Sequence, residues 1–171
     1  DQAEAYYSSY KNAIDEVGKI NLIKTRSNGV SIKISALYPR YEMLKLSEIE
    51  LTLIPKLISL IEYAKDKNVD ITIDAEEQDR LDVSLEIIKK IAYSEKIKKW
   101  SGFGIALQAY GKRSIDVINW LDDLLKNRAP MHLRLVKGAY WDYEIKQSQI
   151  KSHPGYSVYT NKSLTDLSYL H

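Results

Sequence analysis

The sequence contains no cysteine in 171 residues. That excludes a disulfide framework, a thiol nucleophile, and zinc or iron–sulfur ligation by cysteine. It does not choose between a reducing and an oxidising compartment. Phenylalanine occurs once, and four prolines and seven glycines are scattered without a period. A collagen-like or low-complexity chain is therefore excluded. Excess charge of one sign is also missing: 25 basic against 23 acidic residues leave +2. This gives no electrostatic reason to expect a nucleic acid as partner. Long hydrophobic runs are absent too. The most apolar stretch, Leu51 to Ile61, is interrupted by Pro55 and Lys56 and is too short to span a bilayer. The start, Asp1-Gln2-Ala3-Glu4, is acidic and polar, lacks an initiator Met and is no signal peptide. The chain reads as an excerpt of a longer protein, cut at both ends.

What is present fits one globular domain: 44% hydrophobic, 28% charged and 10% aromatic residues. No linker divides it. A short alternating run followed by a longer amphipathic run recurs, the pattern of βα units and a parallel sheet. Residues 2–17 predict a helix through Ala3, Tyr6, Tyr7, Tyr10, Ala13, Ile14 and Val17, with Gly18 placed to end it. After the turn signal Asn28-Gly29, residues 30–36 alternate strictly and predict a strand. A helix is expected over about 47–66, with Ser47 and Glu50 as a capping box and Pro55 kinking or splitting it. Further strands are expected at 69–75, 103–109 and 131–137. Helices are expected at 77–92 (Leu81, Leu85, Ile88 and Ala92 inward), at 114–126 (Ile118, Leu121 and Leu125 inward) and from 160 to the end.

Strands of an open, doubly wound sheet are buried on both faces and read as unbroken apolar runs. These strands each have one apolar face and one polar or small face, which points to a barrel. Lys33, Asp74, Gln108 and Arg134 then stand on the inner face, each near a strand's end, in one register. A Lys33–Asp74 ion pair would satisfy two of them locally. Burying all four without a ligand would cost several kcal/mol, so a shared ligand mouth is the better reading. Four strands do not close a barrel of eight, which again marks an excerpt and leaves part of any site outside it.

Other motifs are weaker. Gly102-Phe103-Gly104 lacks the third glycine of a dinucleotide fingerprint, and Tyr110-Gly111-Lys112-Arg113 is no P-loop. His132, His153 and His171 lack metal-ligand spacing, so no metal is expected. Asp74, Glu76 and Glu77 read as a strand end and an acidic first helical turn. The segment Arg134-Leu135-Val136-Lys137-Gly138-Ala139-Tyr140-Trp141-Asp142 stands out: cations, a glycine that admits close backbone approach, and two large aromatics suit a flat, partly anionic cofactor. Two other readings of the residues stay open. Lys33 or Lys137 would suit a Schiff-base lyase on a barrel. A half barrel with open apolar edges would be inert or bind a partner.

Five segments, in order along nearly the whole chain, resemble the proline dehydrogenase domain of bifunctional proline utilization flavoproteins. They are Ser31-Ile32-Lys33-Ile34-Ser35-Ala36-Leu37-Tyr38-Pro39-Arg40-Tyr41, Ile73-Asp74-Ala75-Glu76-Glu77-Gln78-Asp79-Arg80-Leu81, and Gln108-Ala109-Tyr110 with Lys112-Arg113. The fourth is Arg134 to Asp142 with Glu144-Ile145-Lys146, and the fifth is Tyr159-Thr160-Asn161-Lys162 with Thr165-Asp166 and Ser168-Tyr169-Leu170. Departures such as Tyr38 and Asn161 are peripheral. The resemblance implies a distorted (β/α)8 barrel that binds FAD and oxidises L-proline to Δ1-pyrroline-5-carboxylate in proline catabolism, passing electrons to a membrane quinone. It implies a cytoplasmic protein that meets the membrane peripherally during turnover, with a pyrroline-5-carboxylate dehydrogenase domain possible in the parent chain. The strands here would be the second to fifth of the barrel. The first strand, the last three and the final helix, which carries paired arginines for the proline carboxylate, would lie outside, so the excerpt alone is expected to be inactive. The resemblance assigns Gln108, Arg134, Val136, Lys137, Gly138, Ala139 and Trp141 to the flavin, and Thr160 and Lys162 to the nucleotide part of FAD. It assigns Lys33, Asp74, Leu135 and Tyr140 to the proline pocket, with Arg134, Lys33 and Asp74 serving the chemistry.

Overall fold

A computed structural model describes residues 2–23 and 28–171. Four parallel strands form one sheet in sequence order: β1 (Gly29–Ile32), β2 (Asp70–Ile73), β3 (Phe103–Gln108) and β4 (His132–Val136). Helices precede and follow them: α1 (Gln2–Asn21), the short α2 (Ile34–Leu37), α3 (Leu46–Asp66), α4 (Leu81–Ala92), α5 (Ser114–Leu125), α6 (Trp141–Ile150) and α7 (Lys162–Leu170). This is the expected α/β architecture, part of a (β/α)8 barrel, with one strand after another entering a parallel sheet through a helical crossover.

The register divides the sheet into two faces. Val30, Ile71, Phe103 and the residues two further along share one face, which packs on the helices. The other carries Ser31, Thr72, Gly104 and His132 in one layer, with Ala106 and Arg134 paired in the next. Helix α3 fills the core with Ile49, Leu53, Leu57, Leu60, Ile61 and Ala64, α4 with Val83, Ile87, Ile88 and Ile91, and α5 with Val117, Leu121 and Leu124. At about 25 cal/mol per Å2, burying each such aliphatic side chain favours folding by roughly 1.5–3 kcal/mol.

Several boundaries differ from the pattern reading. Helix α1 runs through Gly18 to Asn21. Gly18 is buried there, and a Cβ would stand 3.3 Å from Lys67, so the residue serves close packing and does not end the helix. Strand β1 stops at Ile32, because Ile34–Leu37 coils into one helical turn that keeps Ile34 and Leu37 buried while abandoning the alternation. Helix α3 is continuous across Pro55, and Lys45, without a side-chain cap, replaces the expected Ser47–Glu50 box. The carbonyl that Pro55 cannot reach belongs to Leu51, an exposed residue, so water can meet it. Ile118 faces outward on α5, and Val117 and Leu124 take its place. Helix α6 falls in a segment whose pattern predicts no helix.

Candidate functional site

The site gathers at the C-terminal ends of the strands. Asp74 directly follows β2, and its carboxylate accepts a hydrogen bond from Arg134 Nη2 at 2.5 Å. Arg134 Nη1 donates to Ser31 Oγ at 2.7 Å. Asp74 therefore pairs with Arg134, and the Lys33–Asp74 ion pair that would have satisfied the two locally is not formed. Lys33, exposed just past β1, instead points its ammonium at Tyr140, donating to the phenol oxygen at 3.3 Å and standing 5.8 Å from the ring centre. That hydrogen bond raises the Lys33 pKa above the usual lysine range. Lys33, Asp74, Arg134 and Tyr140 thus form one polar cluster.

Gln108 lies two residues beyond Ala106, which is the register partner of Arg134, so it stands a layer above the cluster with Val136. The expectation that four polar heads share one level is corrected to three. Gln108 is buried, and its amide is used at both ends: Nε2 donates to the Glu76 carbonyl at 2.9 Å, and Oε1 accepts from the Ala139 N–H at 2.8 Å. It holds the Gly138–Ala139 backbone in place. Leu135, expected in the proline pocket, is next to Arg134 in the strand and pairs with Leu107, so the pleat turns it to the helix-packed face.

Above Arg134 the chain passes through Lys137 and Gly138. Gly138 has φ +143°, and a Cβ there would lie 2.4 Å from the buried Tyr110 ring. Only glycine fits both the dihedral and the space. Among the described residues the buried Tyr110 hydroxyl has no hydrogen-bond partner, and burial pushes its pKa upward. An open groove of about 430 Å3 follows, lined by Tyr110, Lys137, Gly138, Trp141, Thr160 and Lys162. Lys137 and Lys162 converge on Asp166, at 2.5 and 2.8 Å, and these two contacts hold its carboxyl below the usual range. Trp141 opens α6 with 42% of its surface exposed and anchors its indole N–H on the Tyr159 carbonyl at 2.9 Å. The narrow glycine passage, the flat indole and two cations fit a planar ring system joined to a diphosphate.

Two buried carboxylates went unread in the sequence. Glu76, taken as part of an acidic helical turn, is 7% exposed; it accepts from the Ser35 N–H at 3.0 Å and the Tyr41 hydroxyl at 3.1 Å. Glu144 is 4% exposed. It accepts from the Gln78 N–H at 2.7 Å and the Ser157 hydroxyl at 3.1 Å, tying α6 to the connection between β2 and α4 and to the strap that precedes α7. Burial raises its pKa above the usual carboxylate range. The available signal was its spacing: Glu144 and Ser148 lie four apart on the side of α6 that is buried.

Comparison with known proteins gives a consistent result. The chain matches the family described as Proline dehydrogenase over residues 1–171. The Bifunctional protein PutA of Klebsiella aerogenes is 44% identical, with the match covering 98% of this chain and 13% of that protein. A crystal structure of a Bradyrhizobium japonicum Proline Utilization A variant superposes with a TM-score of 0.93 at 40% identity, over 99% of this chain and 18% of that one. The structure of the Bdellovibrio bacteriovorus protein inactivated by N-propargylglycine gives 0.90 at 27% identity, over 98% of this chain and 19% of that one. The chain therefore spans less than a fifth of the length of these relatives.

Proposed function

Because the chain belongs to the proline dehydrogenase family, we propose that it supplies the central strands of a barrel that oxidises L-proline to Δ1-pyrroline-5-carboxylate in proline catabolism. The parent protein passes the electrons to a membrane quinone, which brings a cytoplasmic protein to the membrane surface peripherally. A pyrroline-5-carboxylate dehydrogenase domain in the same parent would consume the product. The observation that carries this reading is the Lys33–Asp74–Arg134–Tyr140 cluster opening beside the Gly138 groove.

The groove and the strand end beneath it fit FAD: Gln108, Arg134, Val136, Lys137, Gly138, Ala139 and Trp141 beside the flavin, and Thr160 and Lys162 toward the nucleotide end. FAD supplies the two-electron acceptor that no side chain of this sequence can provide. The chain's own residues do the rest. Lys33 and Arg134 set two positive charges at the mouth, which attract the proline carboxylate. Asp74 offsets part of that charge and turns the Arg134 guanidinium through one fixed hydrogen bond. Tyr140 walls the pocket and holds Lys33 by its hydroxyl. Gln108 acts one step back, fixing the Ala139 backbone.

The Schiff-base reading loses its support in the geometry. Such a lysine must release its proton near neutrality. Lys33 and Lys137 are both exposed, and their hydrogen bonds to Tyr140 and Asp166 raise their pKa values. Borohydride with a carbonyl substrate is therefore expected to trap no adduct.

The test is an absorbance spectrum of the whole parent protein before and after anaerobic L-proline. Flavin bands that bleach are expected. A folded, colourless parent would refute the cofactor, and bands that persist would refute the substrate. N-propargylglycine, which inactivates the Bdellovibrio relative, is expected to inactivate the parent as well.

A further inference from the structure

We propose that Ser31 is a positioning residue for Arg134, an inference that rests on the proposed role of Arg134 at the flavin and proline. The contact is unusual in its path. Arg134 starts on β4, and its hydrogen bonds end on Asp74, after β2, and on Ser31, in β1. The strand between β4 and β2 presents only Gly104 and Ala106 on the inner face at these levels. The same passage serves the layer below: the His132 ring lies over Gly104, where a Cβ would come within 2.1 Å of it, and its Nε2 meets Thr72 Oγ1 at 2.8 Å. Two side chains of β4 thus reach past β3 to earlier strands.

Asp74 by itself fixes one guanidinium nitrogen and leaves the plane free to swing about that contact. Ser31, holding Nη1 at 2.7 Å, supplies the second point and sets the plane. A guanidinium held at two points presents its remaining donors in a single direction. That is the requirement for a cation that must face charge developing at one place. Ser31 is half-buried, while the Arg134 side chain keeps 47% of its surface. Loss of the hydroxyl therefore releases Arg134 into space it can occupy.

The experiment uses the parent protein as wild type, Ser31→Ala and Ser31→Thr, with Arg134→Met as reference. Anaerobic stopped-flow mixing with saturating L-proline reads the rate of flavin bleaching. Nuclear magnetic resonance of the arginine side-chain nitrogens reads restricted rotation of Arg134. For Ser31→Ala we expect roughly a tenfold slower rate, the effect of one lost hydrogen bond to a charged group. We also expect faster guanidinium rotation, with flavin content and melting temperature unchanged. Ser31→Thr, which keeps the hydroxyl, restores both. If Ser31→Ala fails to fold, Ala106→Leu closes the passage from β3 and is expected to displace Arg134 with the same two readouts. Wild-type rate and rotation in Ser31→Ala, with Arg134→Met impaired, overturn the positioning role and leave the function standing. An unimpaired Arg134→Met overturns the reading of Arg134, and the role of Ser31 with it.

Discussion

Replacing Gly138 by alanine tests the groove where its geometry is tightest. The methyl group would sit 2.4–2.7 Å from three atoms of the Tyr110 ring. Tyr110 is buried, with 2% of its surface exposed. The φ of +143° adds a backbone penalty that no other contact relieves. Strain at such a dihedral costs roughly 1–3 kcal/mol, and forcing a methylene into a packed site costs about as much again. The sum, about 2–6 kcal/mol, falls on the segment that Gln108 fastens through Ala139. Hydrogen exchange of the whole parent protein, read by mass spectrometry, is the suitable assay because it reports local opening. Amides at 108–112 and 137–141 are expected to exchange at least about thirtyfold faster in Gly138→Ala, the equivalent of ~2 kcal/mol. A double variant with Tyr110→Leu removes the ring and keeps the dihedral, so it should recover roughly 1–3 kcal/mol as a coupling between the two sites. Wild-type exchange in Gly138→Ala, or strict additivity in the double variant, would refute the steric reasoning.

Other perturbations give distinct signatures. Burial holds the Glu144 carboxyl above its usual range, so the folded protein binds that proton more tightly than the unfolded chain does. Its contribution to stability is greatest below the unfolded-chain pKa and is lost as pH rises through the raised folded one. The stability of Glu144→Gln relative to wild type should therefore shift in the variant's favour as pH rises across that window, and a pH-independent difference would count against it. Thr72→Val leaves the half-buried His132 Nε2 without its partner and should cost about 1 kcal/mol by denaturant unfolding. Burial already lowers the His132 pKa, and the variant's altered titration, followed by proton resonance, is a second check. Asp166→Asn frees Lys137 and Lys162 and should tighten FAD binding with a steeper salt dependence, measured by fluorescence titration of the apoprotein. Unchanged affinity at low salt would remove the two lysines from the proposed cofactor site.

The repeating unit was legible because its signals were local. Val30-Ser31-Ile32 and Ile71-Thr72-Ile73 alternate as half-polar strands, and each long amphipathic run that follows a strand forms its helix. That Lys33, Asp74 and Arg134 stand in one layer was legible for the same reason, since strand ends in a barrel point to one mouth. What escaped depends on neighbours distant in sequence. Strand β1 ends at Ile32 because the apolar Ile34 serves equally well in a helical turn, and alternation cannot tell the two apart. Helix α6 hides because its buried stripe consists of two polar residues, Glu144 and Ser148, and the partners of Glu144 lie on other segments. The partner of Asp74 could not be read either: Lys33 and Arg134 have the same charge, and only the small side chains of β3 decide which one reaches it.

That arrangement bears on how the sheet finds its alignment. Parallel strands can slide past one another with little loss of backbone hydrogen bonding, and a slip by one residue turns every side chain to the wrong face. A slip by two keeps the faces and so escapes detection by hydrophobicity. Here it would bring His132 or Val136 opposite Ala106 in place of Arg134. Asp74 would lose its cation, and Gly104 would face Arg134 or Pro130 in place of the imidazole it is cut to fit. The two β4 side chains that pass over β3 therefore act as a key with two teeth, rejecting the misalignments that apolar patterning alone would accept.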